Sequence, residues 1–180
     1  MTPLSGAENR MNKTTMQNEP ARQALRKTFS VSEFMAFGER YGIDYRFPLL
    51  RQKPETSQTS PVLHGEVEEM TLPCGMCVTH SDVHVLQPYE TTSRHSSPLY
   101  MLVVLEGSVM LRVNGQEFVV RSGMAFTSRL GEQQVMNAVH LADYHLRTLS
   151  LGVDPARCWQ SPLLSALLQQ WENGGAPTFL

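Results

Sequence analysis

No run of apolar residues approaches the roughly 20 needed to span a bilayer, so no membrane helix and no membrane partner are expected. The N-terminal MTPLSGAENRMNKTT has no apolar segment and does not read as a secretory signal. Neither charge sign dominates. The net charge is −2 and the pI near 6.3, which leaves no basic footprint for nucleic acid. Three cysteines make no disulfide framework, and a cytoplasmic, reducing compartment is the expectation. No Gly-x-Ser-x-Gly elbow and no phosphate-binding glycine loop is present, which removes the usual sequence marks of an α/β-hydrolase or a nucleotide enzyme.

What is present suits a globular domain with a real core: 180 residues, 41% hydrophobic and 18% charged. The organising stretch is Tyr100–Phe126, YMLVVLEGSVMLRVNGQEFVVRSGMAF. Tyr100–Leu105 is a continuous apolar run, as in a strand covered on both faces. Val109, Leu111 and Val113 alternate with Met110 and Arg112, which places the two sets on opposite faces. Asn114-Gly115 then supplies two residues that tolerate positive φ, the requirement of a two-residue hairpin. Further strands are predicted at Leu63–Thr71, Met76–His80, Val83–Tyr89, Met124–Ser128, Gln134–Asn137 and Tyr144–Leu151. The pattern is that of a mainly β barrel or sandwich.

The flanks read as helical. Residues 1–19 are polar and are expected to be a disordered tail. Residues 20–61 form a helical segment and linker: Pro20 opens PARQALRKTF, and Ser30-Val-Ser-Glu33 is a capping box. Val31, Phe34, Met35, Phe37 and Tyr41 follow at helical spacing, and Gly42 closes the helix. RQKPETSQTSP at 51–61 is a linker by composition. The barrel takes 62–157. Residues 158–180 are a C-terminal helix, with Leu163, Leu164, Leu167, Leu168 and Trp171 on one apolar face, followed by the start of a linker.

The stretch LVVLEGSVMLRVNGQEFVVRSGMAF resembles the central hairpin of the cupin barrel, in the form found in the effector-binding N-terminal domains of AraC-type transcription regulators. DYHLRTLSLGVDPARCW at 143–159 resembles the same family, where a strand leaves the barrel and enters a helix. The resemblance covers roughly Val62 to Trp171. It implies a double-stranded β-helix (jelly-roll) barrel that holds a small-molecule effector, works as a homodimer and reaches DNA only through a domain absent from this chain. Either the chain is a truncated effector domain or the protein lacks DNA binding, and ENGGAPTFL, which reads as the beginning of a linker, favours the expectation of truncation. On the same resemblance, Arg94, Tyr100, His145 and Arg147 contact the effector. His95 and Arg112 are further polar candidates, and the arginines suit carboxylate or phosphate groups. Met101, Met110, Met124 and Met136 supply adaptable lining if they face inward. Leu163, Leu167 and Trp171 make the dimer contact.

Metal-dependent cupins need a His-x-His pair, a later Glu and a third His after the next glycine turn. Here Arg94-His95-Ser96-Ser97 has one His, and Met124-Ala125-Phe126-Thr127 has none. No metal, no cofactor and no catalysis are therefore expected. The rivals are a metal enzyme with an atypical site from His80, His84, His95 or His140, and a solid interaction module. Cys74 and Cys77 invite a zinc or redox reading, but Pro73 and Gly75 favour two small thiols in a strand-to-strand turn.

Overall fold

The computed structural model describes residues 26–52, 58–131, 134–172 and 178–179. The elements are β1 (Lys27–Ser30), α1 (Val31–Tyr41), β2 (Ile43–Arg46), β3 (Pro61–Thr71), β4 (Met76–Val85), β5 (Tyr89–Ser93) and β6 (Ser97–Glu106). They continue with β7 (Ser108–Val113), β8 (Gln116–Arg121), β9 (Ala125–Leu130), β10 (Met136–His140), β11 (Tyr144–Val153), α2 (Pro162–Glu172) and β12 (Thr178–Phe179). Short 3-10 turns stand at Pro48–Gln52 and Cys158–Gln160.

One sheet has the order β1-β3-β4-β11-β6-β9-β12, the other β2-β5-β10-β7-β8. At their centres β4-β11-β6-β9 and β5-β10-β7-β8 interleave in sequence, so the chain crosses repeatedly between two four-stranded layers. That is the jelly-roll arrangement of the cupin barrel. The fold is mainly β and cupin-like; among the described residues one α-helix precedes the barrel and one follows it.

The central hairpin forms as its sequence dictates. Val113 pairs with Gln116 across Asn114 and Gly115, whose φ angles are 51° and 78°. Two consecutive left-handed residues match the twist of the flanking strands. Val109, Leu111 and Val113 are buried on the inner face.

Several boundaries differ from the sequence reading. Met76–His80 and Val83–Tyr89 are one strand, β4, followed by β5. Ser81 and Asp82 look like a polar break, yet they pair with Val67 and Glu66 on one side and Thr148 and Arg147 on the other. Gln134–Asn137 is displaced to Met136–His140. The described end of the expected PARQALRKTF helix is strand β1, and β2 was not expected at all. The rest of that helix and the 1–19 tail lie outside the described residues.

Segment 26–46 has a structural role in both layers. β1 adds to the β3 edge, with Phe29 opposite Leu63, and β2 adds to the β5 edge, with Tyr45 opposite Thr91. α1 bridges them. The Glu33 carboxylate accepts the Ser30 N–H at 2.8 Å, closing the helix start, and Gly42 ends the helix in the left-handed region at φ 60°. The buried Phe34 ring meets Tyr45 edge-on at 4.9 Å and Tyr89 at 5.1 Å, so the helix's aromatic face joins the barrel core.

Register shows where that core is solid. Val85, Val104, Val120 and Phe126, all at 0% exposure, fill the end where β4 and β6 finish and β11 begins. α2 is held separately. Leu164 and Leu168 are buried with Val153 and Cys158, against Leu99, Met76 and Leu151. The expected single apolar face of α2 is thus two faces. Leu164 and Leu168 turn inward, whereas Leu163 and Leu167 are 75% and 51% exposed.

Candidate functional site

At the end opposite the valine plug the barrel is hollow. A cavity of about 690 Å³ opens there, a size that accommodates a drug-sized molecule. Period-two alternation supplies the lining. Inward positions carry Glu69 and Thr71 on β3, Cys77, Thr79 and Ser81 on β4, and Thr148 and Ser150 on β11. Their registers put Thr79 beside Glu69 and Ser150, and Ser81 beside Val67 and Thr148, so these short polar side chains form adjacent rows. Short side chains leave the volume empty, while Val83 and Val85 further along β4 close it off.

Aromatic rings make the other wall. Phe34, Phe37, Tyr41 and Tyr45 come from the α1–β2 segment, and Tyr89 and His140 from β5 and β10. Tyr89 and His140 are opposite each other in register and stack at 4.3 Å with 13° between their planes. The His140 Nδ1 is sealed from solvent and has no hydrogen-bond partner among the described residues. Burial pushes this imidazole down to about 4, so it is neutral near pH 7. Tyr100 also lines the cavity, its phenol pushed up to about 12 by burial.

The six side chains proposed from sequence do not gather in one place. His95 and Tyr100 line the cavity; Arg94, Arg112, His145 and Arg147 stand outside its lining. Strand alternation is the reason. Leu146, Thr148 and Ser150 take the inward positions of β11, which turns His145 and Arg147 outward. Val109, Leu111 and Val113 do the same to Arg112. Two of these outward groups make ion pairs: Arg112 with Glu117 across the hairpin, and Arg94 with Asp44. Of the four methionines proposed as lining, only Met136 reaches the cavity. His95 is held by a tight seam. The Arg94 N–H donates to the Gly42 carbonyl at 2.8 Å, and a Cβ on Gly42 would overlap the His95 ring.

His145 sits between Asp82, at 2.6 Å from Nε2, and Glu106, at 2.9 Å from Nδ1. Hydrogen bonds to these two carboxylates raise its pKa, chiefly the bond to Asp82. A raised folded-state pKa stabilises the fold fully below the unfolded value near 6.5 and loses that contribution as pH rises through the folded value. The site is partly exposed and screened, so the effect is less than about 1 kcal/mol. Between pH 6 and 8 the urea midpoint of the wild type is expected to fall more than that of His145→Gln; parallel curves would refute the assignment.

Among the described residues no group of three or more His, Cys, Asp or Glu is placed to hold a metal ion. His80 and His84 lie on the outward positions of β4, away from His95 and His140, so the four do not converge. Cys74 lies in the β3–β4 turn and Cys77 just after it; both are free thiols.

Sequence reasoning missed Tyr41, Glu69 and the hydroxyl rows. A signal was available in Cys77-x-Thr79-x-Ser81 and Thr148-x-Ser150, where small polar residues occupy the same alternation that carries Val83, Val85 and Leu146.

A family model described as the regulatory protein PchR N-terminal domain matches residues 64–176. No curated protein sequence matches the chain. Solved structures similar to it include the cupin domain of an XRE family transcriptional regulator from Enterobacter cloacae, at 11% identity and TM-score 0.41, covering 52% of this chain and 98% of that one. The AraC-like transcriptional activator CuxR is similar at 11% identity and TM-score 0.47, covering 72% of this chain and 47% of that one. KdgF from Halomonas sp. is similar at 13% identity and TM-score 0.39, covering 59% and 94%. The chain spans about half the length of the AraC-like activator.

Proposed function

The chain belongs to the PchR N-terminal regulatory-domain family, and from that premise we propose that it is the effector-sensing and dimerisation part of an AraC-type transcription regulator. The hollow barrel end carries this reading. A domain that only interacted with proteins would fill its interior, whereas here about 690 Å³ is left open between hydroxyl rows and an aromatic wall. A regulatory family also speaks for binding rather than turnover. The domain works in the cytoplasm and reaches DNA through a region outside this chain.

The cavity is positioned to report occupancy. Val153, Asp154 and Pro155 line it and lead directly into the turn before α2. The Cys158 N–H donates to the Asp154 carbonyl at 3.0 Å, and Cys158 packs on Leu164 and Leu168. On the other side α1 and β2 contribute rings to the same cavity. A ligand that prefers one setting of these two segments shifts the population of α2 arrangements. The exposed Leu163 and Leu167, with Trp171 partly exposed beside them, form the face through which two copies associate.

Native mass spectrometry of the protein from its own cells tests both parts. The wild type is expected to carry a small molecule and to run as a dimer. Ser150→Trp, which places an indole in the cavity, should fold, dimerise and lose the small molecule. An adduct retained by Ser150→Trp, or none on the wild type, would overturn the effector reading.

A further inference from the structure

The cavity's charge narrows the ligand class. Among the described residues neither Lys nor Arg lines it, and its charged side chains are Glu69 and Asp154. Asp154 is already engaged: its carboxylate accepts the Ala156 N–H at 2.8 Å and lies 3.7 Å from the Arg157 guanidinium. Glu69 accepts the Tyr41 hydroxyl, and no described Lys or Arg shares the cavity wall with it. Its negative field also reaches Tyr45, whose phenol burial and Glu69 together hold well above the ordinary value.

The rings beside Glu69 run in a chain. Tyr41 and Phe37 have centroids 6.3 Å apart, Phe37 and Phe34 also 6.3 Å, and Phe34 and Tyr45 4.9 Å. Ring faces present negative potential, which attracts a cation within about 6 Å of a centroid. Arg40 already exploits this, 5.4 Å from the Tyr41 centroid, although it is not part of the cavity lining. A carboxylate at the edge of an aromatic wall favours a positive group and opposes a negative one, and the hydroxyl rows opposite add hydrogen bonds without charge.

We propose that the cavity takes an aromatic ligand bearing a positive charge, its rings against Phe37, Tyr41 and Tyr45 and its cationic group at Glu69. This rests on the cavity being the effector site. It replaces the carboxylate or phosphate ligand that the arginines suggested from sequence, because those arginines face away from the cavity.

Rhodamine 6G and fluorescein share a xanthene body and differ in the sign of charge, so they probe the site without knowledge of the natural ligand. Fluorescence anisotropy with the full chain is expected to show rhodamine 6G binding about tenfold more tightly than fluorescein, a factor that attraction of the cation and repulsion of the anion can together reach at the exposed Glu69 carboxylate. Glu69→Gln should weaken rhodamine 6G about tenfold and not weaken fluorescein. Ser150→Trp should abolish the rhodamine complex, which separates the cavity from the weakly acidic surface. Fluorescein binding as tightly as rhodamine 6G, and blocked by Ser150→Trp, would overturn the charge assignment while leaving the cavity a ligand site. Rhodamine 6G binding unchanged in Ser150→Trp overturns it as a surface effect. Failure of both dyes to bind overturns it and removes support from the effector reading as well.

Discussion

In Leu168→Ala, amide hydrogen exchange across α2 is expected to accelerate on the order of 100-fold, while Leu167→Glu leaves it nearly unchanged. Leu168 is 0% exposed and packs in a small cluster with Val153, Cys158 and Leu164 that is separate from the main core. Truncating a buried Leu costs about 3 kcal/mol. An 11-residue helix is not stable alone, so that loss falls on the docking of α2 rather than on the barrel. Leu167 is one residue away and 51% exposed. A carboxylate there meets water in the monomer, and its cost appears only if a second copy covers it, as an unpaired charge at the contact. Sedimentation of Leu167→Glu should therefore give a monomer with α2 still protected. Equal exchange in the two variants would refute the division of the helix into an inner and an outer face. A Leu167→Glu variant that stays dimeric would move the association face elsewhere.

The legible parts of this chain were those fixed by local chemistry. Asn114-Gly115 specified its hairpin because few residue pairs accept two positive φ angles, and Ser30…Glu33…Gly42 specified both ends of α1 through caps. The run Tyr100–Phe126 therefore placed the barrel. What escaped depends on contacts distant in sequence. Lys27–Ser30 is a strand only because the β3 edge receives it, and Ile43–Arg46 only because β5 does. Ser81 and Asp82 look like a break until the registers of β3 and β11 are known. Of the polar side chains named from sequence, His95 and Tyr100 do reach the cavity lining. His145 and Arg147, named from the family resemblance, and Arg112, already on the face opposite Val109, Leu111 and Val113, stand outside the cavity lining because alternation turns them outward. In this barrel the inward positions near the opening are filled by Ser and Thr, which carry no sequence signal of binding. Glu69, the charge that does line the cavity, sits in a strand of mixed polarity, where Glu66 and Glu68 on the outer face conceal it.

The stability of the domain is expected to fall by about 2 kcal/mol between pH 7 and pH 5 through His140 alone. The sign follows from where the proton binds. The unfolded imidazole takes up a proton below about 6.5, whereas burial holds the folded one down to about 4. Over that window the unfolded state carries more protons, so acid favours unfolding. The structural cause is specific: the ring is stacked on Tyr89 and its Nδ1 has no described partner to share a positive charge. Part of the ring faces the cavity, yet the lining beside it supplies Tyr89, Met136 and Ala138 and no carboxylate adjacent in register. His145 works in the other direction: its gain grows as pH falls through the folded value and is full only below about 6.5, so it offsets a small part of the loss, equally in the wild type and in a His140 variant. The depressed pKa values of Asp82 and Glu33 matter only below the ordinary carboxylate range. Urea unfolding at pH 7, 6 and 5 should show the decline in the wild type and a level or slightly rising profile in His140→Leu, which retains the apolar contact with Tyr89 and cannot titrate at that position. A wild-type profile parallel to the variant's would show that the imidazole is protonated inside the fold, and with it that the aromatic end of the cavity admits charge and water.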